Sequence, residues 1–139
     1  MNRQRWVLAL VVPGLAGCSQ LLHLVVRNNT SDEVEICNLQ RHDNACVSAK
    51  SHDQARMLLV ADHPASSWVL RISTSAASKT YNFGQVDLWK LRSSHTCEHN
   101  CDVAVQLEPD GLIYWIDASG NASVPAQVQP NGFPVRPGA

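Results

Sequence analysis

The densest group of reactive side chains is His95-Thr96-Cys97-Glu98-His99-Asn100-Cys101, two imidazoles and two sulfurs within seven residues. Copper or zinc accepts such a donor set, and His95, Cys97, His99 and Cys101 together are the one candidate metal site. Their spacing is not that of a zinc ribbon or finger. Three neighbouring pairs, His42-Asp43, His52-Asp53 and Asp62-His63, offer acid/base or ligand chemistry. Adjacent side chains on an extended strand point to opposite faces, so each pair needs a bend to act together. His beside Asp in a polar stretch reads first as solvated surface. The sequence contains no Gly-x-Ser-x-Gly elbow, no phosphate-cradling loop and no His-Glu-x-x-His helix, so nothing in it points to catalysis or to a cofactor. The expectation is a protein that is not an enzyme.

Whether the cysteines bind metal or each other depends on the compartment, and the N-terminus speaks to that. Arg3 and Arg5 precede an apolar stretch from Trp6 to Leu15, followed by small residues ending at Cys18. This is the layout of a secretory signal. A spanning helix needs roughly 20 apolar residues to cross about 30 Å of hydrocarbon. Here Ser19 and Gln20 arrive too early for that, and Pro13 weakens a helix further.

The four residues Leu15-Ala16-Gly17-Cys18 resemble the lipobox of bacterial lipoproteins. The resemblance covers the first eighteen residues and implies cleavage after Gly17 with acylation of Cys18. It thus implies a signal peptide over 1–17 and a lipidated N-terminus with a short tether over 18–20. Several acyl chains, at about 0.8 kcal/mol per buried methylene, hold a protein durably at a bilayer where one chain does not. Ser19 is not the Asp that resembles an inner-membrane retention signal. The expected location is therefore the bacterial outer membrane, lipid-anchored and facing the periplasm.

Four cysteines follow the anchor, Cys37, Cys46, Cys97 and Cys101. An even number in an exported chain points to disulfides, because thiolates in an oxidising compartment pair before they meet a metal. Three connectivities are open. Short polar intervening stretches favour Cys37 with Cys46 and Cys97 with Cys101, each bridge contributing roughly 2–4 kcal/mol.

These residues need elements to position them. At 139 residues with 45% apolar and 17% charged, the chain can build one small core and no more. Eleven basic residues against twelve acidic ones, without a basic run, give no field for nucleic acid. Loss of Arg3 and Arg5 leaves the body with a net charge of −3, which argues against headgroup binding by the body itself.

Alternation predicts strands over Leu21 to Arg27 and Val34 to Cys37, joined as a hairpin by Asn28-Asn29-Thr30-Ser31-Asp32. Residues Asn38 to Gln54 read as loop. Met57 to Val60 is an apolar run that fits a buried strand or one helical turn, ended by Asp62-His63-Pro64. Trp68, Leu70 and Ile72 alternate against Val69, Arg71 and Ser73, and a turn leads to Tyr81 and Phe83. Val86 to Arg92 fits an edge strand or a helical turn. Val103, Val105 and Leu107 form a further strand. The turn Pro109-Asp110-Gly111 then leads to Leu112, Tyr114 and Ile116.

About seven short strands without a helical period make an all-β fold, a small antiparallel sandwich or barrel-like domain over 21–117. Trp68, Leu70, Val105, Leu107 and Tyr114 are its expected core. Trp89 and Trp115 either cap that core or mark a contact surface, and capping is preferred. The proline-containing segment 118–139 reads as an extended or mobile tail, with Phe133 packing back on the body. The expected function is that of a lipid-anchored envelope protein whose disulfide-stabilised β domain binds or supports an envelope protein partner. The alternative is a copper- or zinc-binding envelope lipoprotein using the His95 to Cys101 segment.

Overall fold

The computed structural model describes residues 21–41, 45–59, 68–84, 86–92, 100–117 and 128–138. The first strand, β1 (Leu21–Asn28), shows the rule that builds the domain. Leu22, Leu24, Val26 and Asn28 turn inward and are buried, while His23, Val25 and Arg27 turn outward. Among the described residues seven further strands follow, β4 and β5 with the same period of two: β2 (Val34–Asn38), β3 (Cys46–Ala49), β4 (Gln54–Leu59), β5 (Val69–Ser73), β6 (Ser78–Asn82), β7 (Asn100–Leu107) and β8 (Ile113–Ile116). A 3-10 turn, Leu88–Leu91, resolves the ambiguity over Val86 to Arg92.

The strands form two four-stranded sheets, ordered β4-β1-β7-β8 and β3-β2-β5-β6. Their inner faces meet in one core that includes Leu24, Ile36, Leu70, Tyr81, Val103 and Val105. The domain is an all-β sandwich, not a closed barrel. Four of the five expected core residues are buried there, Trp68, Leu70, Val105 and Leu107.

Tyr114 is not among them. Pairing of Gln106 with Tyr114 and of Leu107 with Ile113 shifts the phase of β8 by one residue. Ile113 goes inward, and the Tyr114 ring lies half-buried with its hydroxyl donating to Asp110 Oδ2 at 3.0 Å. A one-residue shift exchanges the faces of a strand, and the apolar sequence Leu112-Ile113-Tyr114-Trp115-Ile116 does not itself set the phase.

Three other expectations are corrected. Strands β1 and β2 are not a hairpin, since β1 pairs antiparallel with β4 and parallel with β7 while β2 belongs to the other sheet. The buried Asn28 fixes that crossover, its Nδ2 donating to the carbonyls of Asp32 (2.7 Å), Ala49 (3.1 Å) and Lys50 (3.1 Å). The stretch Asn38 to Gln54 is not all loop, because it holds β3 and the start of β4. Only Val47 and Ala49 supply apolar surface in β3, too little for a pattern, and pairing with β2 makes it a strand. The sheet is also not wholly antiparallel, since the first and seventh strands run side by side in the same direction over eight residue pairs.

The tail is partly built into the sandwich. Ile113 and Val135 exchange backbone hydrogen bonds of 3.0 and 2.8 Å, and Gly138 N donates to Thr80 O at 2.8 Å. The tail thus pairs with β8 of one sheet and β6 of the other, covering both edges on that side. The Gln129 amide extends the cover by bonding the backbone N–H and C=O of Trp115 at 2.9 and 3.1 Å. Phe133 packs on the body as expected, its ring edge-on to Phe83 at 6.2 Å.

The registers also define the two ends. Leu21, Asn38, Cys46, Leu59, Val69, Asn82, Asn100 and Ile116 are the strand termini at one end. The tight connections 29–33, 50–53, 74–77 and 108–112 lie at the other, here called the turn end.

Candidate functional site

The sequence candidates do not converge. Cys18, His42, Asp43, Asp62, His63, His95, Cys97 and His99 lie outside the described residues. His52 and Asp53 form no dyad. They sit in an exposed turn closed by Asp53 N donating to Lys50 O at 3.1 Å, with His52 at φ +60°. Asp53 Oδ1 caps Gln54 N at 2.8 Å, and the His52 ring lies 3.3 Å from Asn29 Oδ1. The solvated-surface reading holds for that pair.

Cys37 and Cys46 form a disulfide, as their short polar separation suggested. They face each other across β2 and β3, so the bond staples an existing pair of strands. Glu35 Oε1 approaches Cys37 Sγ at 3.6 Å. Glu35, Cys37 and Cys46 gather three potential donor atoms, but with both sulfurs oxidised there is no thiolate for a metal. Cys101, buried on β7, is also disulfide-bonded and has no thiolate to contribute to the His95 to Cys101 donor set. Among the described residues no helix is long and apolar enough to cross a membrane.

Two arrangements that sequence reading missed are present. On the outer face of the first sheet, β4, β1 and β7 bring together Arg56, His23 and Asp102. Arg56 donates from Nε and Nη2 to Asp102 Oδ1 at 3.1 and 2.8 Å. Its Nη2 also lies 3.1 Å from His23 Nδ1. Because guanidinium only donates, Nδ1 accepts, and the neutral imidazole carries its proton on Nε2. Burial lowers the His23 pKa, Arg56 lowers it further, and Asp102 pulls it the other way. His23 and Asp102 stand 3.8 Å apart with the guanidinium bonded to both, so the carboxylate neutralises Arg56 rather than orienting a catalytic imidazole. Arg56 is 33 residues from His23 and 46 from Asp102, and only strand register unites them.

The second arrangement is a cleft of about 240 Å³ between the sheets at the turn end. Val34, Ile72, Leu107 and the ring of Tyr81 are buried and make its apolar floor; Asp32, Glu108 and Lys79 stand on its rim. Tyr81 lies beneath the β7–β8 turn, its hydroxyl donating to Gly111 O at 2.9 Å. Burial and then the Asp110 charge raise its pKa, which keeps the phenol protonated as that donor. Glu108 is committed on both oxygens, to the Asn29 amide at 2.8 Å and to the Gln106 amide. Lys79 reaches across the mouth, its Nζ lying 2.9 Å from where a Cβ on Gly111 would sit.

The cleft joins an apolar floor to a few polar groups, the usual form of a small-ligand site. Trp89 and Trp115, in contrast, are half-buried against the core and cap it. Comparison of the chain with known protein families, characterised proteins and solved structures finds no match.

Proposed function

We propose that this chain is a bacterial outer-membrane lipoprotein, anchored through acylated Cys18 and facing the periplasm. Its disulfide-stabilised sandwich acts as a binding module for an envelope protein partner and not as an enzyme. The supporting observation is the spacing between the lipobox and the fold. Leu21, the first residue of β1, follows Cys18 by three positions, and β1 is an inner strand of its sheet. Three residues reach at most about 10 Å, so acylation there would seat the Leu21 end against the bilayer. The turn end and its cleft would then stand about 25 Å farther out, the length of an eight-residue strand. On this reading the turn end is the surface open to a partner.

Metabolic labelling with a fatty-acid analogue in a bacterial host tests the anchor. Cys18→Ser is expected to abolish labelling and leave the precursor uncleaved, and unchanged processing refutes the assignment. A photocrosslinker at an exposed position of the turn end, such as Ser75, tests the partnership in intact cells. It should capture an envelope protein in the anchored wild type and lose it in Cys18→Ser. Equal capture from both would mean that anchoring does not present this end to its partner.

A further inference from the structure

The charges on the rim of the cleft are arranged unevenly. Glu108 is satisfied by two amides, whereas neither the Asp32 carboxylate nor the Lys79 ammonium has an ion-pair partner among the described residues. One opening thus presents an unneutralised anion and an unneutralised cation above a floor of Val34, Ile72, Leu107 and the Tyr81 ring. A complementary ligand carries both charges on a small frame and an apolar group to fill the floor. The volume of about 240 Å³ limits its size, because sites for drug-sized ligands run to roughly 300–1,000 Å³.

We propose that the cleft is a binding site for a zwitterionic apolar amino acid. Its ammonium meets Asp32, its carboxylate meets Lys79, and its side chain rests on Ile72 and Leu107. Tyr81 and Gly111 hold the geometry from below, since the hydroxyl is already spent on the turn carbonyl and competes for neither charge. The proposal goes beyond the reading of the domain as a module for a protein partner, adding a small-ligand site at the same end.

Titration of the full-length protein in detergent micelles, followed by methyl NMR at Val34, Ile72 and Leu107, tests it with three probes. L-leucine has both charges, N-acetyl-leucine lacks the cation, and leucinamide lacks the carboxylate. Leucine is expected to move all three methyl groups saturably and to bind about tenfold more tightly than either analogue, the effect of one charged hydrogen bond. Lys79→Met should abolish the advantage over leucinamide only, and Asp32→Asn the advantage over N-acetyl-leucine only. Both positions are exposed, so folding should survive either change. Methyl groups that stay unmoved at about 10 mM leucine, or equal affinity for the three probes, overturn the proposal. Crosslinking that still captures an envelope partner in that case leaves the binding-module reading standing, so the two failures are told apart.

Discussion

At the turn end, one buried amide ties three segments together. Asn28 donates to Asp32, Ala49 and Lys50 and accepts from Thr30 N and Oγ1 at 3.0 and 2.7 Å. Asn29 meets Glu108, Ser51 Oγ donates to Thr30 O, and Tyr81 meets Gly111. At the Leu21 end the corresponding work is covalent, since Cys37–Cys46 closes β2 on β3 and Cys101 is bonded at the start of β7. Buried polar groups there are less well served, for Asn38 Nδ2 and Trp68 Nε1 have no hydrogen-bond partner among the described residues. The end that would face a partner is therefore organised by directional, reversible bonds that fix the outline of a cleft. The end from which the N-terminal segment departs is held by bonds that need an oxidising compartment. Hydrogen bonds specify shape at one end, and covalent closure does so at the other.

Breaking the hydrogen-bonded end should have the larger effect. Asn28→Ala removes five contacts, of which the one to Ala49 O is fully buried, while Lys50 O keeps the Asp53 N–H and Asp32 O keeps the Thr30 hydroxyl. Net values of about 0.5–1 kcal/mol per bond, most of them only partly buried, give a loss of about 3–4 kcal/mol in urea denaturation, and a loss below about 1 kcal/mol would show that the crossover is held by something else. Removing the covalent closure, Cys37→Ala with Cys46→Ala, should cost about 2–3 kcal/mol, the chain-entropy value for a loop near ten residues. Strand pairing around the bond should persist, visible as protected amides on β2. Collapse of that protection would mean that the disulfide creates the β2–β3 pair instead of stapling it.

The sequence made one side of this comparison much easier to read than the other. β5 and β7 were legible because each alternates cleanly and is followed by turn formers, and Pro109-Asp110-Gly111 announced the last hairpin. β3 was not, because an edge strand of four residues with two apolar positions is made by its partner. The β1–β2 crossover looked like a hairpin because Asn, Thr, Ser and Asp signal a change of direction without saying which sheet receives the chain. Period alone did not tell Ile113 from Tyr114 on a strand where nearly every residue is apolar. Among site features, the Cys37–Cys46 bond was readable because its partners are nine residues apart and polar residues intervene. The cleft was not, since Asp32, Ile72, Lys79 and Leu107 become neighbours only when two sheets pack. The His23, Arg56 and Asp102 cluster escaped for the same reason.

A smaller effect at the turn end sharpens the claim that its outline is fixed by backbone geometry. Gly111 sits at φ +78°, and a Cβ there would lie 2.9 Å from Lys79 Nζ. The left-handed backbone conformation costs a non-glycine residue about 1–2 kcal/mol, whereas the Lys79 ammonium ends a flexible chain and can swing aside. Gly111→Ala should therefore cost about 1–2 kcal/mol, with the same loss in a Lys79→Ala background. A loss that vanishes in that background would trace it to collision instead of backbone conformation.

The smallest effect belongs to the outer face near the Leu21 end and depends on proton concentration. His23 is held below its ordinary imidazole value by burial and then by Arg56, with Asp102 opposing. Its folded form therefore takes up a proton less readily than its unfolded form. Above an ordinary pKa of about 6.5 both forms are neutral and this residue adds no pH dependence. As pH falls below that value the unfolded chain protonates first, and stability declines until the folded pKa is passed. His23→Gln should flatten that part of the stability curve, measured by urea denaturation from pH 7 to pH 5. Arg56→Gln removes the second of the two depressing influences and leaves Asp102 to act alone against burial, so the His23 midpoint read by NMR should rise. A midpoint unmoved by that substitution would show that burial alone sets it, leaving the guanidinium to link β4 to β7 without tuning the imidazole between them.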